Sequence, residues 1–148
     1  MNELQAIAQW LYSTLSGDAG IAAAVGNRVY ERVAPQGAAY PFILFSTRYA
    51  YAEDRNGIGP GARLFTRPLY RIVAHAEGGG FGAVDSIAAV IDAVMEGAEG
   101  SVALAGTSYH IGVVRRERAY RDVELLPGGR LVFVAGGEYR LRCVGIGA

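Results

Sequence analysis

The chain has 148 residues, with fourteen acidic residues balancing fourteen basic ones and a single cysteine, Cys143. Balanced charge gives no global field for steering a polyanion or holding an anionic membrane, a lone thiol excludes an internal disulfide, and no run approaches the ~20 apolar residues of a membrane helix. The length predicts one domain, residues 1–148, with one core, and the opening MNELQAIAQW has no basic segment leading into an apolar signal core, so a cytosolic protein is expected.

In chain order, Leu4, Ile7, Ala8, Leu11 and Leu15 recur at helical spacing with Gln5, Gln9 and Ser13 opposite, and Asn2 with Gln5 forms a capping pair. Gly17 ends this helix, Asp18 caps a short second one over AGIAAAV, and Gly26-Asn27 stops it, so the chain opens with a helical hairpin. Trp10 falls off the apolar stripe, which marks either an exposed contact or, the favoured reading, a helix edge tucked against a neighbouring strand. From Arg28 the period becomes strand-like in RVYERV and again in PFILFSTRYAY, whose Phe42 to Phe45 run is apolar on both faces and belongs inside a sheet. Between them Pro35 and Pro41 fix φ and push Ala34 and Tyr40 toward extended geometry, making residues 34–41 a stiff elbow.

AEDRNGIGPGA reads as a loop too long for a hairpin tip. RLFTRPLYRIVAHA reads as a strand interrupted by Pro68, with residues 69–76 the well-paired part, because proline cannot donate to a ladder. After GGGFG, Val84, Ile87, Val90, Ile91, Val94 and Met95 form the apolar side of a helix. SVALAG, YHIGVVRRERAYRD and LVFVAGGEYRLRCVG follow as strands, the last two joined by a turn at LLPGGR. In the final strand Glu138, Arg140 and Arg142 alternate with Tyr139, Leu141 and Cys143, as on a half-buried antiparallel strand. The expected fold is α+β: a mainly antiparallel sheet with helices packed on one face.

Gly78, Gly80 and Ala83 match the spacing of a dinucleotide-binding turn, but no second parallel strand ending in a ribose-binding carboxylate follows. His75 and His110 lack a partner at the short spacing of zinc sites, the acids at 53 and 54 lack the spacing of a calcium loop, and Cys143 lies on the apolar side of its strand. No nucleophile elbow is present, nor a paired carboxylate set that could be placed across a cleft, so neither an enzyme, a cofactor nor a metal is expected. RRERAYRDVE mixes arginines with acids, which suits charges pairing across a subunit boundary or a solvated hairpin better than a nucleic-acid footprint. All basic residues are arginine, a bias that suits interfaces and that GC-rich coding also produces.

The segment LSGDAGIAAAVGNRVYERVAPQGAAYPFILF resembles the tail terminator, or tail completion, proteins of long-tailed bacteriophages: a Leu-Ser helix end, a Gly-x-Arg-Val-Tyr start and a Val-Ala-Pro-x-Gly-Ala-x-x-Pro elbow before the first long strand. RIVAHAEGGGFGAVDSIAAVIDAV and GGEYRLRC are similar to the family's main strand-helix unit and closing strand. The resemblance implies a subunit of a hexameric ring that caps the head-proximal end of the tail tube, ends tube growth and presents a surface to the head's neck proteins. Its partners would be its own copies, the tube protein and a head completion protein, with DNA passing through the ring without sequence-specific binding. It implies a virion protein assembled in the bacterial cytoplasm. Candidate interface residues are Arg48, Tyr49, Tyr51, Asp54, Arg55 and Asn56 in the strand end and loop of residues 47–62, and Arg115, Arg116, Arg118 and Tyr120 in the charged strand. A head-side connector ring, or a small ligand-binding protein using GGGFG, are the alternatives.

Overall fold

The computed structural model describes residues 2–49, 52–55 and 63–146. Helix α1 (Asn2–Ser16) buries Ile7, Leu11 and Leu15 of the predicted stripe completely, half-buries Leu4 and Ala8, and buries Ala6 beside them. Asp18 caps α2 (Ala19–Val25) by accepting the amide proton of Ile21 at 2.9 Å, and Gly26 closes it at φ 64°. The third helix, α3 (Phe81–Met95), seats Val84, Ile87, Ile91 and Met95 in the core.

The strands are β1 (Val29–Glu31), β2 (Phe42–Tyr49), β3 (Ala52–Arg55), β4 (Arg63–Thr66), β5 (Leu69–Glu77), β6 (Gly100–Leu104), β7 (Thr107–Ile111), β8 (Arg115–Leu126), β9 (Arg130–Arg140) and β10 (Cys143–Ile146). The α+β class is as expected, and the strands divide between two five-stranded sheets, ordered β1-β2-β5-β9-β8 and β3-β4-β10-β7-β6. Among the described residues all strand pairings are antiparallel except β1 with β2.

Three runs that read as single strands each cross from one sheet to the other: β4 to β5 at Arg67 and Pro68, β7 to β8 at residues 112–114, and β9 to β10 at Leu141 and Arg142. The crossings are tied side by side, since the Leu141 amide donates to the Pro68 carbonyl at 3.1 Å and the Gly112 amide to the Arg142 carbonyl at 2.9 Å. Strands that switch sheets make the corners of the structure, and the side-chain period of two runs on through them. The expected loop also shortens: residues 52–55 and 63–66 pair as β3 and β4, with Glu53 opposite Phe65, because tertiary pairing overrides the weak strand propensity of AEDR.

The elbow is strapped down by Arg28, whose Nε donates to the Pro41 carbonyl at 2.8 Å, and by the Arg32 amide, which reaches the Phe45 carbonyl at 2.9 Å. It carries the chain across so that β1 and β2 run parallel. Trp10 is buried, 8% exposed, against Gly100, where an added Cβ would stand 2.7 Å from its Nε1. Gly100→Ala is therefore expected to cost about 1–2 kcal/mol by overpacking, measured by urea denaturation. Paired with Trp10→Leu it should cost less than the sum of the two single changes, since the indole is the group it strikes.

Candidate assembly surface

The first sheet has two unlike faces. Ile43, Phe45, Tyr70, Ile72, Ala74 and Tyr139 point to the helices and join one continuous core with Tyr109, Ile111, Leu141 and Cys143 of the second sheet and the strands leading into it. The opposite face carries a small apolar strip of Val73, Val132 and Val134, flanked by Tyr40, Leu44, Tyr120 and Leu126. Above this strip, arginines from three strands converge on one carboxylate.

That carboxylate is Glu138 of β9, whose side chain is 0% exposed. Arg71 of β5 donates to its Oε2 through Nε at 3.2 Å and Nη2 at 3.0 Å, Arg48 of β2 approaches the same oxygen at 3.5 Å, and Arg118 of β8 bonds Oε1. Cross-strand register explains the convergence, since Arg71 and Arg118 both stand opposite Glu138. Burial works against the charge, but the bonds from Arg118 and Arg71 outweigh it and hold the carboxyl below its ordinary value. The Arg71 guanidinium also lies 3.8 Å from the centroid of the Tyr120 ring, a cation–π contact.

Of the residues singled out in the sequence, Arg48, Arg118 and Tyr120 meet here. Arg115 and Arg116 lie instead at the end of α3: Arg115 pairs with Glu96 at 3.3 Å, and Arg116 approaches Asp92 at 3.6 Å while its amide donates to Glu96 at 2.6 Å. Tyr49 ends β2, and Asp54 and Arg55 stand on β3 in the second sheet; Tyr51 and Asn56 lie outside the described residues. Sequence reasoning missed Arg71 and Glu138 as members. The alternation of Glu138 with Tyr139 was visible, but not the register that brings arginines to both its sides.

Farther down the same face, His75 stacks on Phe42 with ring centroids 4.9 Å apart, and Arg130 grips Glu77 through two bonds of 2.7 and 2.9 Å. Burial lowers the His75 pKa from 6.5 to about 4. The unfolded chain takes up this proton as pH falls through 6.5, whereas the folded one resists until about 4. Stability present above pH 6.5 is thus expected to drain away toward pH 4, by about 3 kcal/mol from this group. Urea midpoints between pH 7 and 4.5 should fall steeply in the native chain and less in His75→Phe; equal slopes would refute the assignment.

The GGGFG turn does not sit in a nucleotide-binding frame. Gly78, Gly79 and Gly80 all adopt positive φ and lead into α3, but the next strand, β6, lies in the other sheet and pairs antiparallel with β7. Cys143 is fully buried, and burial pushes its thiol up to about 12. Among the described residues, no group of three His, Cys, Asp or Glu side chains is placed to hold a metal.

The fold and this surface define a small α+β protein of two bent sheets whose convergent polar groups lie on an open sheet face. The same architecture occurs in a chain of the "Virion of native gene transfer agent (GTA) particle", to which this one is similar over 97% of its own length and 98% of the other's, with a TM-score of 0.62 and 19% identity. The chain belongs to the family of the tail completion protein gp17, whose profile matches residues 9–128. It is accordingly a structural protein of the phage virion tail that works in contact with other virion proteins. No curated protein matches the chain.

Proposed function

We propose that the protein closes into a six-membered ring on the head-proximal end of the tail tube, stops tube growth there and offers the surface on which the head joins. The observation that carries this reading is the match to the tail completion family over residues 9–128. A ring needs heterologous contacts, in which one patch meets a different patch on the next copy. The Arg48–Arg118–Tyr120 face and the β3–β4 hairpin stand in different sheets and supply two such patches. DNA has to pass the ring without being held on its phosphates. Supporting this, Arg71, Arg115, Arg116, Arg118, Arg121, Arg130 and Arg140 each face a carboxylate of the same chain.

The test is purified protein added to growing tail tubes, followed by negative-stain imaging. Expected are six-fold rings on one end of each tube and an end to elongation; bare ends and unlimited growth would sink the proposal. Deleting residues 56–60, within the 56–62 segment between β3 and β4, is expected to abolish capping while leaving the folded chain intact. Normal capping by that variant would remove the segment from the contact.

A further inference from the structure

We propose that two copies of the free chain pair through the open edges of β8, antiparallel about a two-fold axis at Tyr120. Strand β8 is 12 residues long, forms the outer strand of its sheet, and is exposed along almost its whole length. A long edge strand is a template for another strand unless something covers it. Helix α3 packs on β5 and β9, and between it and β8 remains a shallow groove of about 400 Å³ lined by Asp85, Ala88, Ala89, Asp92, Ala119 and Arg121.

Which amides face outward is fixed by Asp122. Its Oδ1 accepts the proton of the next amide, Val123, at 2.8 Å, so that amide points away from β9. By strand alternation the amides of Ala119, Arg121 and Leu125 face the same open side. Three of these positions lie opposite β9 residues in unbroken register, Ala119 with Gly137, Arg121 with Ala135 and Leu125 with Leu131. A second β8 can therefore bond only by setting odd-numbered residues against odd-numbered ones.

Charge and the continuity of the strand then choose among the antiparallel registers: centring on Ala119 would set Arg121 against Glu117 and Asp122 against Arg116, but there β8 shifts register and Glu96 already holds the Arg116 amide. Centring on Arg121 sets that guanidinium against its own copy, and centring on Asp122 does the same to a carboxylate. Centring on Tyr120 places Arg118 opposite Asp122 of the second copy, twice, with the two tyrosines adjacent on the axis and Ala119 opposite Arg121. Arg118, Tyr120 and Asp122 share one face of the strand, opposite Glu138, Gly136 and Val134 in turn. On the other face the small side chain of Ala119 leaves the groove room for the second copy's Arg121, which can share Asp85 with the chain's own Arg121, while Asp92 stays with Arg116. Opposite charges directly across a strand pair stabilise it, and like charges oppose it. In the lone chain the Asp122 carboxylate shields the edge by holding the Val123 amide. A two-fold contact of this kind closes on two copies and does not propagate around a ring, so it belongs to the protein before assembly.

The test is the mass of the full-length free protein by light scattering over a concentration series, with three variants. The native chain should reach twice the monomer mass. Ala119→Pro removes an outward amide without touching the β9 ladder and should remain monomeric with an unchanged circular dichroism spectrum. Asp122→Arg puts like charges across both pairs and should weaken association about tenfold or more. Tyr120→Cys should yield a disulfide-linked dimer under diamide, whereas Asp122→Cys, which lies away from the axis, should not; the buried Cys143 contributes no background. A native protein that stays monomeric, an assembly that Ala119→Pro leaves unchanged, or a Tyr120→Cys chain that does not cross-link would each overturn the proposal.

Discussion

Gly136→Ala is expected to destabilise the protein by about 3 kcal/mol or more, lowering Tm by about 10 °C. The position is crowded by backbone: an added Cβ would lie 2.1 Å from the Ile72 carbonyl oxygen and 2.7 Å from the Val73 Cα. Neither atom can swing aside as a side chain would, so relief requires β5 and β9 to part where they pair through nine registered positions. Total stability of about 5–15 kcal/mol leaves little margin for that movement. The neighbouring Gly137→Ala makes the useful contrast. Its nearest contact is the Arg116 Cδ at 2.9 Å, the stem of a half-exposed arginine that can give way. Its cost should be less than half as large. The comparison is made by urea denaturation at neutral pH, with m unchanged if the native state stays compact. A Gly136→Ala protein within about 1 kcal/mol of the native one would show that the two strands do not approach as closely as described.

Much of the fold was legible because its local signals agree with one another. The helical period at residues 4–15, the Asp18 cap and the stop at Gly26 each predict the same hairpin, and Pro68 correctly marks where a well-paired strand begins at Leu69. The bends were not legible. A strand that leaves one sheet for another keeps its period of two, so nothing in VVRRER or YRLRCV distinguishes a corner from a straight run. Register was hidden for a related reason. Shifts between Thr47 and Tyr49 and between Arg116 and Arg118 decide which arginines face Glu138, and an extra residue in a strand leaves no mark of its own in the sequence. Arg116 and Arg118, equivalent in the sequence pattern, consequently point to opposite faces, one toward Asp92 of α3 and the other to Glu138. The candidate surface was half visible: charge and aromatic content drew attention to Arg48, Arg118 and Tyr120, but the carboxylate that gathers the arginines lies on a strand whose alternation fits an ordinary solvent-facing glutamate.

Glu138→Ala carries the second large effect, an expected loss of about 3 kcal/mol at neutral pH. Removing one partner of a buried pair strands the other charges, and here three guanidiniums would face one another without the carboxylate between them. The full penalty of a buried unpaired charge does not apply, because the side chains of Arg48, Arg71 and Arg118 are 40%, 22% and 65% exposed and water can reach them. What remains is the lost bonding to Arg71 and Arg118, the repulsion among the arginines, and the loosening of Arg71 from the Tyr120 ring. The pH dependence separates this from a simple packing loss. A carboxyl held below its ordinary 4.5 contributes stability that is complete above that value and is lost as pH falls through its folded pKa. The gap between native protein and Glu138→Gln should therefore be full at pH 7 and shrink toward pH 3, while the His75 contribution, common to both proteins, cancels. Because Arg48, Arg71 and Arg118 reach Glu138 from β2, β5 and β8, the same substitution frees three strands of the sheet at once. Protection of the β8 and β9 amides in hydrogen exchange should fall with it, and a variant that kept native protection would confine Glu138 to a surface role.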